Sequence, residues 1–271
     1  MTLAAVRSEQ HDLPASRREP DGSVVVRVLS YNVRSLRDAP GQPPGTARRA
    51  VARVIRATAP DVVCVQEAPR FFRWRKALAR LARDAGLVHV AGGATTSGPA
   101  IFSTLRPHVE HTAETLLPRA PGARQRGVAA AVLRFGDVRL GVLSCHLGPE
   151  ATERQAHAGA LLAGVAGLDA PYAVAAGSLG EAPDGRAFQR LANGPLRDAW
   201  AARPWGGEHT APPAGPHQRV DAVLTTEGVQ VLGCGVPSEL PGVHPADLRL
   251  AADHLPVLAA LRLPHPAPAR H

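Results

Sequence analysis

Pro60-Asp61-Val62-Val63-Cys64-Val65-Gln66-Glu67 is a run of four small apolar residues that stops on two polar ones. Such a run is too short for a buried helix, and three of its four residues are β-branched. It therefore fits a strand covered on both faces. A carboxylate at the exit of that strand reaches the sheet rim without taking its charge into the core. The pattern recurs in Leu29-Ser30-Tyr31-Asn32-Val33 and in Leu143-Ser144-Cys145-His146-Leu147. It returns in Ala176-Gly177-Ser178-Leu179-Gly180-Glu181 and, ahead of an apolar run, in Ala252-Asp253-His254-Leu255-Pro256-Val257.

Working outward, the same criterion predicts strands over 24–31, 61–66, 139–144, 172–176, 219–225 and 256–263, with shorter ones at 100–103, 128–135 and 229–233. Helical spacing predicts helices over 47–57, with Thr46 as its cap, and over 71–85, 152–168 and 186–191. Residues 196–218 are rich in Gly and Pro and read as a long loop of the kind that often flanks a site. Residues 1–22 are polar and aperiodic, so disorder is expected there, and Pro264, Pro266 and Pro268 predict a frayed tail over 264–271. One domain over 23–263 is the simplest organisation.

The composition is that of a globular chain, with 271 residues, 45% hydrophobic and 20% charged. Lys76 is the only lysine in a total of 31 lysines and arginines. Net charge is +8 and the pI about 10.7, which favours anionic partners in general. An aromatic platform for unpaired bases is not expected. Cys64, Cys145 and Cys234 have no metal-type spacing and read as reduced thiols. No stretch approaches the roughly 18 apolar residues of a membrane span, and no signal-type apolar region opens the chain. A cytoplasmic location is the expectation.

Asn, Glu, His, Asp and His delivered to one rim suit phosphoester hydrolysis, which needs a cation on the phosphate oxygens, an oriented water and a proton for the leaving group. Magnesium prefers oxygen ligands, typically one or two carboxylates plus waters. Glu67 can hold such an ion, Asn32 can add an uncharged carbonyl, and Asp253 can complete the shell. His146 can contact the phosphate or supply a proton. His254 can transfer protons, oriented by a carboxylate such as Asp221. Taken singly, each also has an ordinary reading: Asn32 as turn chemistry, Glu67 as a surface acid, His146 as a structural histidine.

As an ordered set, these motifs, with Arg219-Val220-Asp221-Ala222-Val223-Leu224 between them, resemble the endonuclease/exonuclease/phosphatase superfamily, the deoxyribonuclease-I-like fold. The resemblance covers about residues 25–263. It implies an α/β fold, a four-layer α/β/β/α sandwich of two packed mixed sheets flanked by helices, with a magnesium or manganese site. It further implies that Asn32 and Glu67 hold metal and phosphate and that Asp253 supports the metal. His146 would bind the phosphate or protonate the leaving group, and Asp221 would pair with the acid–base residue His254.

One motif departs from the family pattern, Gly-Asp-(Phe or Leu)-Asn. Its Asp orients the attacking water and its Asn stabilises the transition state; here those positions are Ser178 and Gly180. Losing one preorganised donor commonly costs roughly 10²–10³-fold in rate. Glu181 and Asp184 are the nearest carboxylates that could stand in. Two readings follow: a divalent-metal-dependent phosphoesterase of reduced activity, with nucleic acid among the substrates the resemblance admits, or a catalytically silent module that binds phosphate or nucleic acid.

Overall fold

The computed structural model describes residues 12–265. In chain order its first half comprises β1 (Arg17–Arg18), β2 (Val24–Asn32), α1 (Thr46–Thr58), β3 (Val62–Gln66), α2 (Trp74–Ala85), β4 (Val88–Gly92) and β5 (Ala100–Ser103). Then come β6 (His108–Leu116), β7 (Gly127–Phe135), β8 (Val138–His146), α3 (Ala151–Ala166), β9 (Tyr172–Ser178) and α4 (Arg186–Ala192). The chain continues through β10 (Leu196–Asp198), α5 (Ala199–Ala202), β11 (Asp221–Thr226), β12 (Gln230–Gly235), α6 (Pro245–Ala251) and β13 (Val257–Leu263).

The strands form two mixed sheets, β12-β13-β2-β3-β5-β4 with β1 on β2, and β10-β11-β9-β8-β7-β6. Each contains one parallel pair, β2 with β3 and β8 with β9, and the remaining pairs are antiparallel. Helix α1 connects the first parallel pair and α3 the second, because a parallel neighbour needs a long crossover. The carboxyl ends of those four strands deliver Asn32, Glu67, His146 and Ser178.

Alternation in β2 explains the layering. Val24, Val26 and Val28 face the second sheet, where they meet Leu133, Leu140 and Val142. Leu29 and Tyr31 face the helices and pack with Val51, Ile55 and Leu78. On the outer face of the second sheet, Leu143 and Ala175 lie under Leu161 and Phe188. Each fully buried Val or Leu contributes about 1.5–3 kcal/mol of transfer free energy, so small aliphatic residues suffice to hold four layers. A polar tie crosses the middle. Ser30 Oγ donates to Gln66 Oε1 (3.4 Å), Gln66 Nε2 donates to Ser144 Oγ (3.4 Å), and Ser144 Oγ donates to the Val65 carbonyl (2.9 Å). All three side chains are buried between the sheets.

Several expectations need correction. Disorder does not reach residues 12–22: Arg17 and Arg18 pair with Val25 and Val24, Leu13 is buried, and Arg27 donates to the carbonyls of Leu13 and Pro14. A guanidinium buried within β2 needs acceptors, and the preceding segment supplies them. Residues 1–11 and 266–271 lie outside the described residues. Thr46 does not cap α1; the Asp38 carboxylate accepts from Gly45 N (2.6 Å) and Ala47 N (2.8 Å) instead. Helix α2 starts at Trp74, because Arg73 takes a left-handed φ of 61°. The long loop is also more ordered than expected, since it contains β10, α5 and three isolated bridges.

Candidate active site

Two hydrogen-bonded clusters meet at the rim. The first is linear. Asn32 Nδ2 donates to Ser178 Oγ (3.3 Å), Ser178 Oγ donates to Asp221 Oδ1 (2.5 Å), and Asp221 Oδ2 accepts from His254 Nδ1 (2.7 Å). Asn32, Ser178 and Asp221 are each about 2% exposed, whereas His254 is half-buried. The sequence order allows this because β11 begins where β2 and β9 end; Asp221 lies opposite Ser178 in the antiparallel register. Ser178 thus occupies the departing motif position as a neutral bridge between an amide and a carboxylate.

The second cluster is Glu67, His146 and Arg126. Arg126 Nη1 lies 2.9 Å from His146 Nδ1, and Glu67 Oε1 lies 3.9 Å from the same nitrogen. A guanidinium can only donate, so Nδ1 accepts and the proton of a neutral His146 resides on Nε2. Burial, then the charges of Arg126 and His254, hold the His146 pKa well below its usual value. His146 is therefore a neutral donor, and its approach to Glu67 is not an ion pair. His254 behaves oppositely. Burial disfavours its charge, but the hydrogen bond and charge of Asp221, with Asp253 and Glu67, outweigh burial and raise its pKa above the usual value.

Loop backbone sets these positions. Glu67 has a left-handed φ of 51°, and its carbonyl accepts from Ser35 N (2.7 Å). That turn swings its side chain into a cavity of about 250 Å³ lined also by Asp253, Ser35, Ser97 and Phe71. Five arginines complete the wall: Arg34, Arg37, Arg70, Arg124 and Arg126. Among the described residues seven non-glycine residues have positive φ, and Arg34, Ser35, Glu67 and Ser97 of this wall are four of them. Left-handed backbone costs free energy for these residue types, so its concentration here marks a constrained site. On the opposite flank Thr210, fully buried, accepts from Val220 N (3.2 Å) and Asp221 N (3.3 Å), while its carbonyl accepts from Leu255 N (2.6 Å). The Gly-rich loop thereby fastens both members of the Asp221–His254 pair.

Glu67 and Asp253 line one cavity, and Asn32 stands beside them with Oδ1 accepting from Arg34 N (3.1 Å). Two carboxylates and an amide would offer oxygen donors only, the type a hard cation that keeps several waters takes, although among the described residues no three His, Cys, Asp or Glu side chains gather as a metal cluster. Gly180 is not part of either cluster; its N donates to the Val220 carbonyl (3.3 Å). Glu181 cannot stand in for a missing carboxylate. It accepts from Arg154 Nε (2.8 Å) and from Phe188 N (2.6 Å), which commits it to an ion pair and to the start of α4. Asp184 is exposed and does not line the cavity.

Sequence reasoning missed the arginine wall, Thr210 and an aromatic–cationic ridge. The ridge, Arg70-Phe71-Phe72-Arg73-Trp74-Arg75-Lys76, interleaves three aromatics with four cations. Phe71 and Phe72 are 73% and 89% exposed, with Arg70 and Arg73 over their rings. Helical spacing over 71–85 hides this signal, and the expectation of no aromatic platform does not foresee the two exposed rings, which precede α2.

Comparison with known proteins places this geometry in context. Residues 29–254 match the family model of the Endonuclease/Exonuclease/phosphatase family. No curated protein matches the sequence. Among solved structures, an endonuclease/exonuclease/phosphatase from Bacteroides vulgatus superposes with a TM-score of 0.72 at 19% identity, over 88% of this chain and 99% of that one. A mannosyl-6-phosphatase from Bacteroides thetaiotaomicron gives 0.72 at 17%, over 87% and 99%. TDP2 of D. rerio, complexed with single strand DNA product, gives 0.68 at 16%, over 88% and 98%.

Proposed function

The chain belongs to the endonuclease/exonuclease/phosphatase family, and from that premise we propose that it is a divalent-metal-dependent phosphoesterase that works without the usual motif carboxylate. The observation that supports this most is the unbroken chain Asn32–Ser178–Asp221–His254, whose last member follows Asp253, which lines the same cavity as Glu67. A relaxed remnant would have no reason to keep a buried aspartate paired to a half-buried histidine.

Glu67 and Asp253, with Asn32 beside them, would hold magnesium or manganese, which when bound neutralises charge on the phosphate oxygens. His146 donates a hydrogen bond from Nε2 to a phosphate oxygen, and Arg126 fixes the ring that does so. His254 gives its Nδ1–H to Asp221, which leaves Nε2 to accept the proton of the attacking water. Asp221 then stabilises the imidazolium. Ser178 saturates the second Asp221 oxygen and keeps the carboxylate aimed at His254. Water is oriented without a dedicated carboxylate, so turnover is slow.

Monoester and diester substrates are both in view, since the fold neighbours include a sugar phosphatase and a protein complexed with a DNA product. Hydrolysis of bis(p-nitrophenyl) phosphate and of p-nitrophenyl phosphate with magnesium or manganese tests the reading. Wild-type turnover should fall on the order of 10³-fold in Glu67→Gln, because a Lewis-acid contribution amounts to several kcal/mol. Wild-type protein that hydrolyses neither compound, yet binds phosphate, would replace the reading with that of a silent phosphate-binding module. Ser178 and Gly180 are the observation that favours that second reading.

A further inference from the structure

Charge in the cavity wall is out of balance. Five guanidiniums face two carboxylates. Two of the five are engaged: Arg34 Nε lies 3.7 Å from Asp253, and Arg126 is turned onto His146. Among the described residues Arg37, Arg70 and Arg124 have no carboxylate within ion-pair distance. Elsewhere Arg53, Arg139 and Arg154 each have one and Arg219 has two, while among the described residues Arg56 and Arg203 also have none; what sets the trio apart is that all three line one cavity. Arg37 and Arg124 are exposed, and Arg70 is anchored by a bond from Nη1 to the Ser97 carbonyl (3.3 Å). Burial and repulsion from Arg124, with a smaller part from Arg37, weaken protonation of Arg70, and Glu67 only partly opposes them. Three uncompensated guanidiniums on one concave wall are an unfavourable arrangement for the protein alone. A ligand that brings negative charge removes the repulsion. In the proposed reaction His146, Arg126 and a cation held by Glu67 and Asp253 would serve the scissile phosphate, which leaves the trio for another anionic group.

We propose that Arg37, Arg70 and Arg124 form a second anion subsite, which takes a phosphate group next to the one that reacts. The preferred substrate then carries two phosphates, either as a small bisphosphate or as a phosphodiester with a neighbouring phosphate. This rests on the phosphoesterase reading, and its test does not use turnover.

Calorimetric titration of the full chain with orthophosphate and with pyrophosphate, in EDTA at fixed ionic strength, reads the subsite directly. Wild type should bind pyrophosphate about tenfold or more tightly than orthophosphate, since one charge-assisted contact is worth that much. In Arg37→Ala/Arg124→Ala the ratio should collapse to about threefold or less. Arg203→Ala, which removes an exposed arginine away from the cavity, should keep the wild-type ratio. A wild-type ratio near one, or a ratio unchanged in the double variant, overturns the proposal. If the double variant does not fold by circular dichroism, Arg124→Gln alone serves, with a halved or smaller ratio expected. Displacement of pyrophosphate by fructose 1,6-bisphosphate or by a 5′-phosphorylated dithymidylate assigns the source of the second phosphate, and failure of both overturns the subsite. A protein that shows the ratio but hydrolyses nothing keeps the subsite and loses the phosphoesterase reading.

Discussion

The two edges of the cavity are built from different kinds of backbone. On the first-sheet edge, Arg34, Ser35 and Glu67 hold left-handed conformations that their side chains resist, locked by bonds such as Ser35 N to the Glu67 carbonyl. On the second-sheet edge the corresponding turn is relaxed. Ser178 ends β9 in the regular register opposite Asp221, and Gly180 takes φ 70° at no cost. The strained edge carries the two carboxylates that line the cavity, Glu67 and Asp253, while the unstrained edge keeps Asp221 and has Ser178 and Gly180 where the family motif has Asp and Asn. Chemistry that demands a side chain in one place keeps the backbone under constraint; where that demand lapses, the constraint has little left to hold.

The sharpest way to break this comparison is through the pair that bridges the edges. Asp221→Asn should reduce hydrolysis by about 10²-fold or more, because His254 loses the group that fixes its tautomer and stabilises its charge. The same change removes the upward influence on His254. A raised folded-state pKa contributes stability that is complete below the unfolded value and is lost as pH rises through the folded value. Wild type should therefore show this loss on raising the pH, and Asp221→Asn should not, which melting temperatures across pH 5–9 will read.

Restoring the motif tests the other edge. Ser178→Asp with Gly180→Asn should raise phosphodiesterase activity by about tenfold or more, well within what two regained groups supply. Room is available at position 180: an added Cβ would meet only the Gly148 carbonyl at 3.7 Å and Arg154 Cδ at 3.9 Å, and Asn is enriched at such φ. No gain in a folded double variant would mean that the assigned roles are wrong. Ser178→Asp by itself sets a second carboxylate against Asp221, so each raises the other's pKa. Without metal its stability deficit should be largest at pH 8 and should shrink as the pair takes up a proton towards pH 5. A smaller effect lies in the support. Thr210→Val should cost about 1 kcal/mol by leaving Val220 N and Asp221 N less well satisfied, measurable by urea unfolding.

Much of the fold was legible because each central strand is an apolar run with a polar stop. The four motif-bearing strands and α1, α3 and α4 fall within a few residues of their expected places. Strand β6 was illegible because His108–Leu116 is almost wholly exposed and alternates nothing. Strand β4 and the seven-residue α6 were too short to show a period. Site residues at strand ends could be read off, since a strand fixes where its last residue lies. The arginine wall could not. Its members sit on loops whose course depends on left-handed residues such as Arg34 and Ser97, and in a chain with one lysine an arginine carries little information.

The polar tie of Ser30, Gln66 and Ser144 lies directly beneath the rim. Apolar layers resist separation but offer little resistance to sliding, because the hydrophobic effect has no direction. Hydrogen bonds have direction, and two of these, Gln66 to Ser144 and Ser144 to the Val65 carbonyl, run from one sheet to the other. They act as a dowel between two boards: the halves of the site keep their alignment because the sheets that bear them cannot shear.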